Sequence, residues 1–206
     1  MAKTKSFKKR FVKDPWNCFE AWMMIENELR VRSSFYFIPF KDVAGINAPK
    51  IREAKYDLDE GLIRRLVDGG WEVGVHGLDS WKDVEKGEEE LKRILKFKLT
   101  NTKIGTRIPW LFFDDETWKR LDEAGFYYDT SFGYNNDVGV RAGTLQVYRP
   151  RDVLNLVELP LNIQDGSLFR RNYLNLSEDE AKKKDVMKYL VTQRNMAGLL
   201  LYYGTR

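Results

Sequence analysis

The chain is poor in the residues that most often carry chemistry. Its 206 residues include one cysteine, Cys18, and one histidine, His76. A lone cysteine excludes an internal disulfide and fits a reducing cytoplasm, and the role expected of it by default is that of a small buried hydrophobe. Long apolar runs are missing too. Nothing approaches the ~18 consecutive apolar residues of a membrane-spanning helix, so no membrane partner is expected. A secretory signal needs an apolar stretch behind its basic residues, and here FVKDPWNC follows them. Neither GxGxxG nor GxxxxGK followed by Ser or Thr occurs, which removes the usual support for a nucleotide-binding fold. No internal repeat is present.

What is there suits a folded domain. Apolar residues make up 43% and aromatics 14%, which excludes a disordered chain. The formal charge of +4 is local in origin. Residues 1–13 hold six of the 35 Lys and Arg and no acid, and the remaining 29 face 31 Asp and Glu. The expected organisation is therefore a basic, disordered tail over 1–13 and a single domain over 14–206. Six charges without interleaved aromatics do not make a nucleic-acid surface, so no nucleic acid is expected as a partner.

Helix and strand patterns alternate. Asp14-Pro15 suits a helix start, with Phe19, Trp22, Met23 and Leu29 at helical spacing. SSFYFIPF (33–40) reads as a buried strand. YDLDEGLIRRLVDGG gives a helix that turns Leu62, Ile63, Leu66 and Val67 inward and stops at Gly69-Gly70. WEVGVH is the next strand. The spacing predicts a helix over 82–97 carrying Leu91, Ile94 and Leu95. KIGTRIPW (103–110) ends as a strand at a proline. DDETWKRLDEAG reads as a helix with acids in its first turn and Gly125 at its end. FYYDTSF and LVELPLNI (156–163) are strands. A capping box, Ser177 to Glu180, opens a last helix leading to the strand LLLYY. This alternation implies an α/β fold with a parallel sheet of about six strands.

In a parallel barrel, residues just past each strand collect on one rim. These are His76, Arg107, Asp129 and Glu158, with Asp79, Asp83, Arg141 and Asp165 on the following loops. One imidazole, several carboxylates and two guanidiniums suit a metal-assisted hydrolase acting on a polar substrate.

EVGVH with its downstream acids, TRIPW, LDEAGFYYDTSFG, VGVRAGT and VELPL occur in the order found in polysaccharide deacetylases. These are the NodB-homology domains of carbohydrate esterase family 4, which the chain resembles from about residue 14 onward. The resemblance implies a distorted or incomplete (β/α) barrel. It also implies carbohydrate metabolism: hydrolysis of acetyl amide or ester groups on a glycan, with a divalent metal such as zinc. By position, His76 matches a metal histidine, and Asp79 and Asp83 are candidate partners for it, since carboxylates also bind zinc. Arg107, in Arg107-Ile108-Pro109-Trp110, matches the arginine that orients a catalytic base. Asp129 matches the aspartate after the preceding helix. Arg141, Trp110 and Glu158 are candidates for substrate binding.

Three family positions carry other residues. No acid precedes Asp14, Ser80 and Lys82 stand where a second histidine would fall, and YYGTR follows the last strand. A catalytically degenerate domain that binds carbohydrate or another polypeptide is therefore the alternative. So is a truncated product, and a barrel missing a strand would favour a homo-oligomer. The single residues have structural alternatives as well. Asp79 and Asp83 can cap the helix at 82, and Arg107 can pair with Glu158 or Asp129. Arg141 can brace its loop, and Glu158 can face the rim or a buried arginine. Trp81, Trp110, Phe112, Phe113 and Tyr134 can stack on sugars or pack the core. Lys82 can be a solvated helix residue.

Overall fold

The structure, a computed structural model, describes residues 18–46, 53–97 and 103–183. The basic tail, the Asp14-Pro15 helix start and the strand LLLYY lie outside the described residues. The chain divides into two compact units, residues 1–32 with 204–206, and residues 33–203.

In the first unit, helix α1 (Phe19–Leu29) buries Met23 while Leu29 is 67% exposed. Arg30 ends it in the left-handed region, and its N–H closes onto the Asn27 carbonyl.

The second unit is built on five parallel strands: β1 (Ser34–Phe37), β2 (Glu72–His76), β3 (Gly105–Arg107), β4 (Tyr128–Asp129) and β5 (Val157–Glu158). Their spatial order, β1-β2-β3-β4-β5, is the order of the sequence, and the described strands do not close on themselves. This order is informative. Parallel crossovers are right-handed, so strands added always on the same side leave their helices on one face. A doubly wound sheet reverses direction and covers both faces; this sheet never reverses. The fold is thus α/β with the winding of an opened (β/α) barrel.

The helices follow local chemistry. Asp59 caps α2 (Glu60–Asp68) by accepting from the Leu62 N–H, and α2 stops at Gly69, followed by Gly70 at φ 83°. Asp83 caps α3 (Val84–Leu95) in the same way through the Lys86 N–H. Ile63, Leu66 and Ile94 are fully buried where α2 and α3 meet β2. Helix α4 (Thr117–Glu123) begins later than its acids suggest. Asp114 forms a turn with Thr117, accepting from the Glu116 N–H, so Asp114, Asp115 and Glu116 precede the first turn instead of occupying it. Two short helices follow, α5 (Asp165–Phe169) and α6 (Glu178–Lys183), the latter opened by the Ser177–Glu180 capping box. Among the described residues, no helix is long and apolar enough to cross a membrane.

Candidate functional site

Side chains alternate along a strand, so register assigns each site residue to a face. His76 pairs with Arg107, and two residues earlier Tyr36 pairs with Gly74 and Gly105 with Tyr128. Val75 pairs with Thr106, Thr106 with Asp129, and Asp129 with Glu158. The first set occupies one face. The second set shares the other, where Trp118 of α4 donates its indole N–H to Glu158 at 2.9 Å. The four strand-end residues therefore reach one end of the sheet but split between its two faces.

On the first face, the bare backbone of Gly74 and Gly105 makes room for two phenols. A Cβ on Gly105 would lie 1.9 Å from the Tyr128 ring. The Tyr36 and Tyr128 rings meet edge-to-face, with their hydroxyls 2.9 Å apart. Arg107 lies over the Tyr36 ring at 5.7 Å and donates to Thr130 Oγ1 at 2.9 Å. Only 1% exposed, this guanidinium is part of the interior. His76 is half-buried, and its Nδ1 lies 2.7 Å from the Arg107 carbonyl. A carbonyl only accepts, so Nδ1 carries the proton. Burial pushes the imidazole pKa down to about 4; the carbonyl bond opposes this and the Arg107 charge adds to it.

On the second face, Asp129 and Glu158 are wholly buried. Asp129 Oδ1 accepts from Ser131 Oγ at 2.6 Å, and Ser131 Oγ in turn accepts from the Ile108 N–H. Glu158 takes the Phe132 N–H at 3.2 Å on its other oxygen. Burial raises both pKa values, and the Asp129 charge raises that of Glu158 further. In this arrangement neither carboxyl presents an oxygen to a ligand. Glu158, expected to face the rim or a buried arginine, instead accepts from an indole and a backbone amide beneath α4.

The expected metal group is not assembled. Asp83 is used as the cap of α3. Asp79, 3% exposed, accepts from the Ile46 N–H at 2.8 Å. Among the described residues, no group of three or more His, Cys, Asp or Glu could hold a metal ion. The neutral His76 tautomer suits a ligand through Nε2, but the two carboxylates proposed with it are committed elsewhere, so this donor set does not fit.

Glu90 was not foreseen. It lies on α3, 2% exposed, and its Oε1 accepts from the Leu78 and Asp79 N–H groups at 3.0 and 2.8 Å. Burial pushes its pKa up to about 7 against the pull of those donors. The signal was in the spacing: Glu90 stands three residues after Gly87 and four before Ile94, on the inward stripe of α3. Beside it, a cavity of about 240 Å³ lies between Phe40, Val43 and Ile46 and the residues Leu78, Asp79 and Glu90.

The remaining candidates lie on rim loops. Arg141 braces its own loop, donating to the Gly133 carbonyl at 3.0 Å and lying 4.3 Å over the Phe132 ring. Trp110 is 39% exposed and held at φ 58°, with Leu111 also left-handed at φ 52°. The Arg170 guanidinium lies 5.0 Å over the Trp110 ring, and the Asn135 side chain donates to the Trp110 carbonyl. Gln164 donates to the Tyr134 carbonyl at 3.0 Å, and Ser167 to that of Asn135 at 3.1 Å. The loops after β3, β4 and β5 are thus tied to one another. Trp81 stacks on Phe112 at 5.4 Å, and Phe113 packs with Trp118 and Phe132, so these aromatics serve packing. Lys82 bonds Asp114 at 2.7 Å.

No family model and no curated protein matches the chain. Among solved structures, the "putative polysaccharide deacetylase" of Mycobacterium smegmatis matches with a TM-score of 0.49 and 19% identity. The match covers 87% of this chain and 60% of that one, so this chain spans less than two thirds of the solved structure's length.

Proposed function

We propose that the chain is a polysaccharide-deacetylase-like domain that binds a glycan at the carboxyl rim of its sheet and does not deacetylate it. One observation carries this reading. The segments EVGVH, TRIPW, YYD and VELP fall on four successive parallel strands, β2 to β5, so their ends meet at a single rim. Trp110 offers a partly exposed ring there, on a backbone held in a sparsely populated conformation. Aromatic faces stack on the apolar faces of sugar rings, and Arg170 backs this ring from one side. Glu158 and Asp129 contribute by fixing the loop beneath the rim rather than by touching ligand.

Metal-dependent hydrolysis is the second reading, and the Nδ1–H tautomer of His76 favours it. The unassembled carboxylates weigh against it, and no step is derived through a metal.

Calorimetric titration with acetylated and deacetylated chito-oligosaccharides separates the two, alongside acetate release with added zinc. The expected result is saturable binding, weakened about tenfold or more in Trp110→Ala, which corresponds to at least ~1.4 kcal/mol, with no acetate above background. Zinc-dependent acetate release abolished by His76→Ala would establish the hydrolase instead. Absence of both binding and release would refute the glycan assignment.

A further inference from the structure

The Asp129 and Glu158 carboxyls have four oxygens and too few donors. Ser131 Oγ serves Asp129 Oδ1, the Phe132 N–H serves Glu158 Oε1, and the Trp118 indole serves Glu158 Oε2. Asp129 Oδ2 is buried and receives no N–H or hydroxyl, and Glu158 is the ladder partner of Asp129 across β4 and β5, on the same face of the sheet. Two carboxylates side by side in a dry interior, with one oxygen lacking a donor, are costly. A single proton between them supplies the missing donor and removes one charge.

We propose that Asp129 and Glu158 share one proton in the native protein, and that this proton latches the rim loop of residues 130–135 to the sheet. Two adjoining positions of that loop end on the pair: Ser131 through its hydroxyl and Phe132 through its N–H. Ser131 also receives the Ile108 N–H at 2.8 Å, and Asn135 reaches the Trp110 carbonyl. When the proton leaves to solvent, the pair repels, the loop loses its anchors and the Trp110 segment loses its brace. β3 brings Arg107, whose charge favours the ionised Asp129 but whose side chain lies on the opposite face, bonded to Thr130. The segment bridged to β5 brings the Tyr148 phenol. Helix α4 brings the uncharged indole of Trp118.

The direction of the pH effect follows from linkage. Both carboxyls titrate above their ordinary range, so the folded state holds more protons than the unfolded chain. The stabilisation is complete below the ordinary carboxylate range and is lost as pH rises through the folded values. The test uses the full chain, with side-chain carboxyls labelled with carbon-13 and observed by NMR against pH. Amide exchange at residues 130–135, corrected for its intrinsic pH dependence, is followed in parallel. The expected result is one carboxyl still protonated at neutral pH. Loop protection should fall by up to about tenfold per pH unit between the ordinary carboxylate range and the folded midpoint, the slope of one released proton, and level off above it. In Glu158→Gln, whose amide keeps a donor toward Asp129 permanently, that dependence should vanish. Two ionised carboxylates at neutral pH, or loop protection indifferent to the midpoint, would overturn the latch. The wild-type titration decides alone if the variant does not fold.

Discussion

Replacing Gly105 by alanine tests the packing of the face that carries Tyr36 and Tyr128. Gly105 is absent from the positive-φ positions, so its backbone does not oppose a side chain. Placed elsewhere in a strand, such a change would stabilise by ~0.5–1 kcal/mol, because glycine loses more freedom on folding. Here the new methyl would lie 1.9, 2.1 and 2.3 Å from three atoms of the Tyr128 ring. That ring is 4% exposed and has its hydroxyl bonded to Tyr36, so its displacement breaks a known contact. Overpacking of this kind costs ~1–3 kcal/mol. Loss of the phenol–phenol hydrogen bond adds ~1 kcal/mol, and loss of the edge-to-face contact about as much. The expected destabilisation is ~3–5 kcal/mol, or ~6–20 °C in Tm for a chain of this length. Thermal and urea unfolding followed by circular dichroism measure it. Repeating the substitution in a Tyr128→Ala background removes the obstacle, and there it should cost under ~1 kcal/mol. A Tm within ~3 °C of wild type for Gly105→Ala, or an equal loss in both backgrounds, would refute the reasoning.

Two other tests address the residues first read as metal ligands. Asp83→Ala removes a helix cap and should cost ~1 kcal/mol of stability, while leaving metal content, measured by mass spectrometry after zinc loading, at the wild-type level; a drop in bound metal would return Asp83 to the ligand set. In chelator-treated protein, the His76 imidazole should stay neutral with the proton on Nδ1 at pH 6, as read by nitrogen-15 NMR. Its folded value is depressed from 6.5 to about 4, so its contribution to stability is whole above 6.5 and disappears as pH falls through about 4. Titration near 6.5 would contradict the burial and the carbonyl bond described for it.

Much of the architecture was legible because hydrophobic period and stop signals agreed. Gly69-Gly70 ends α2, and β2 starts at Glu72 within the expected WEVGVH. Strand lengths were overestimated where a side chain or a proline takes over from the ladder. FYYDTSF pairs only over Tyr128–Asp129, because Ser131 turns its hydroxyl to the Ile108 N–H. KIGTRIPW pairs only over Gly105–Arg107, because Pro109 has no N–H and Trp110 is left-handed. The site was legible as a list of strand ends but not as a geometry. Asp129 and Glu158 end their strands as His76 and Arg107 do, yet one step of register sends them to the opposite face. Sequence alone could not weigh Asp83 as ligand against Asp83 as cap, since the same carboxylate satisfies both patterns.

Nearest-neighbour strand order bears on how the chain is made. Within the described sheet, each new strand finds its partner already synthesised, so assembly can proceed vectorially from the ribosome, one β/α unit at a time. No pairing waits across a distant insertion, which lowers the loop-closure penalty that slows most parallel sheets.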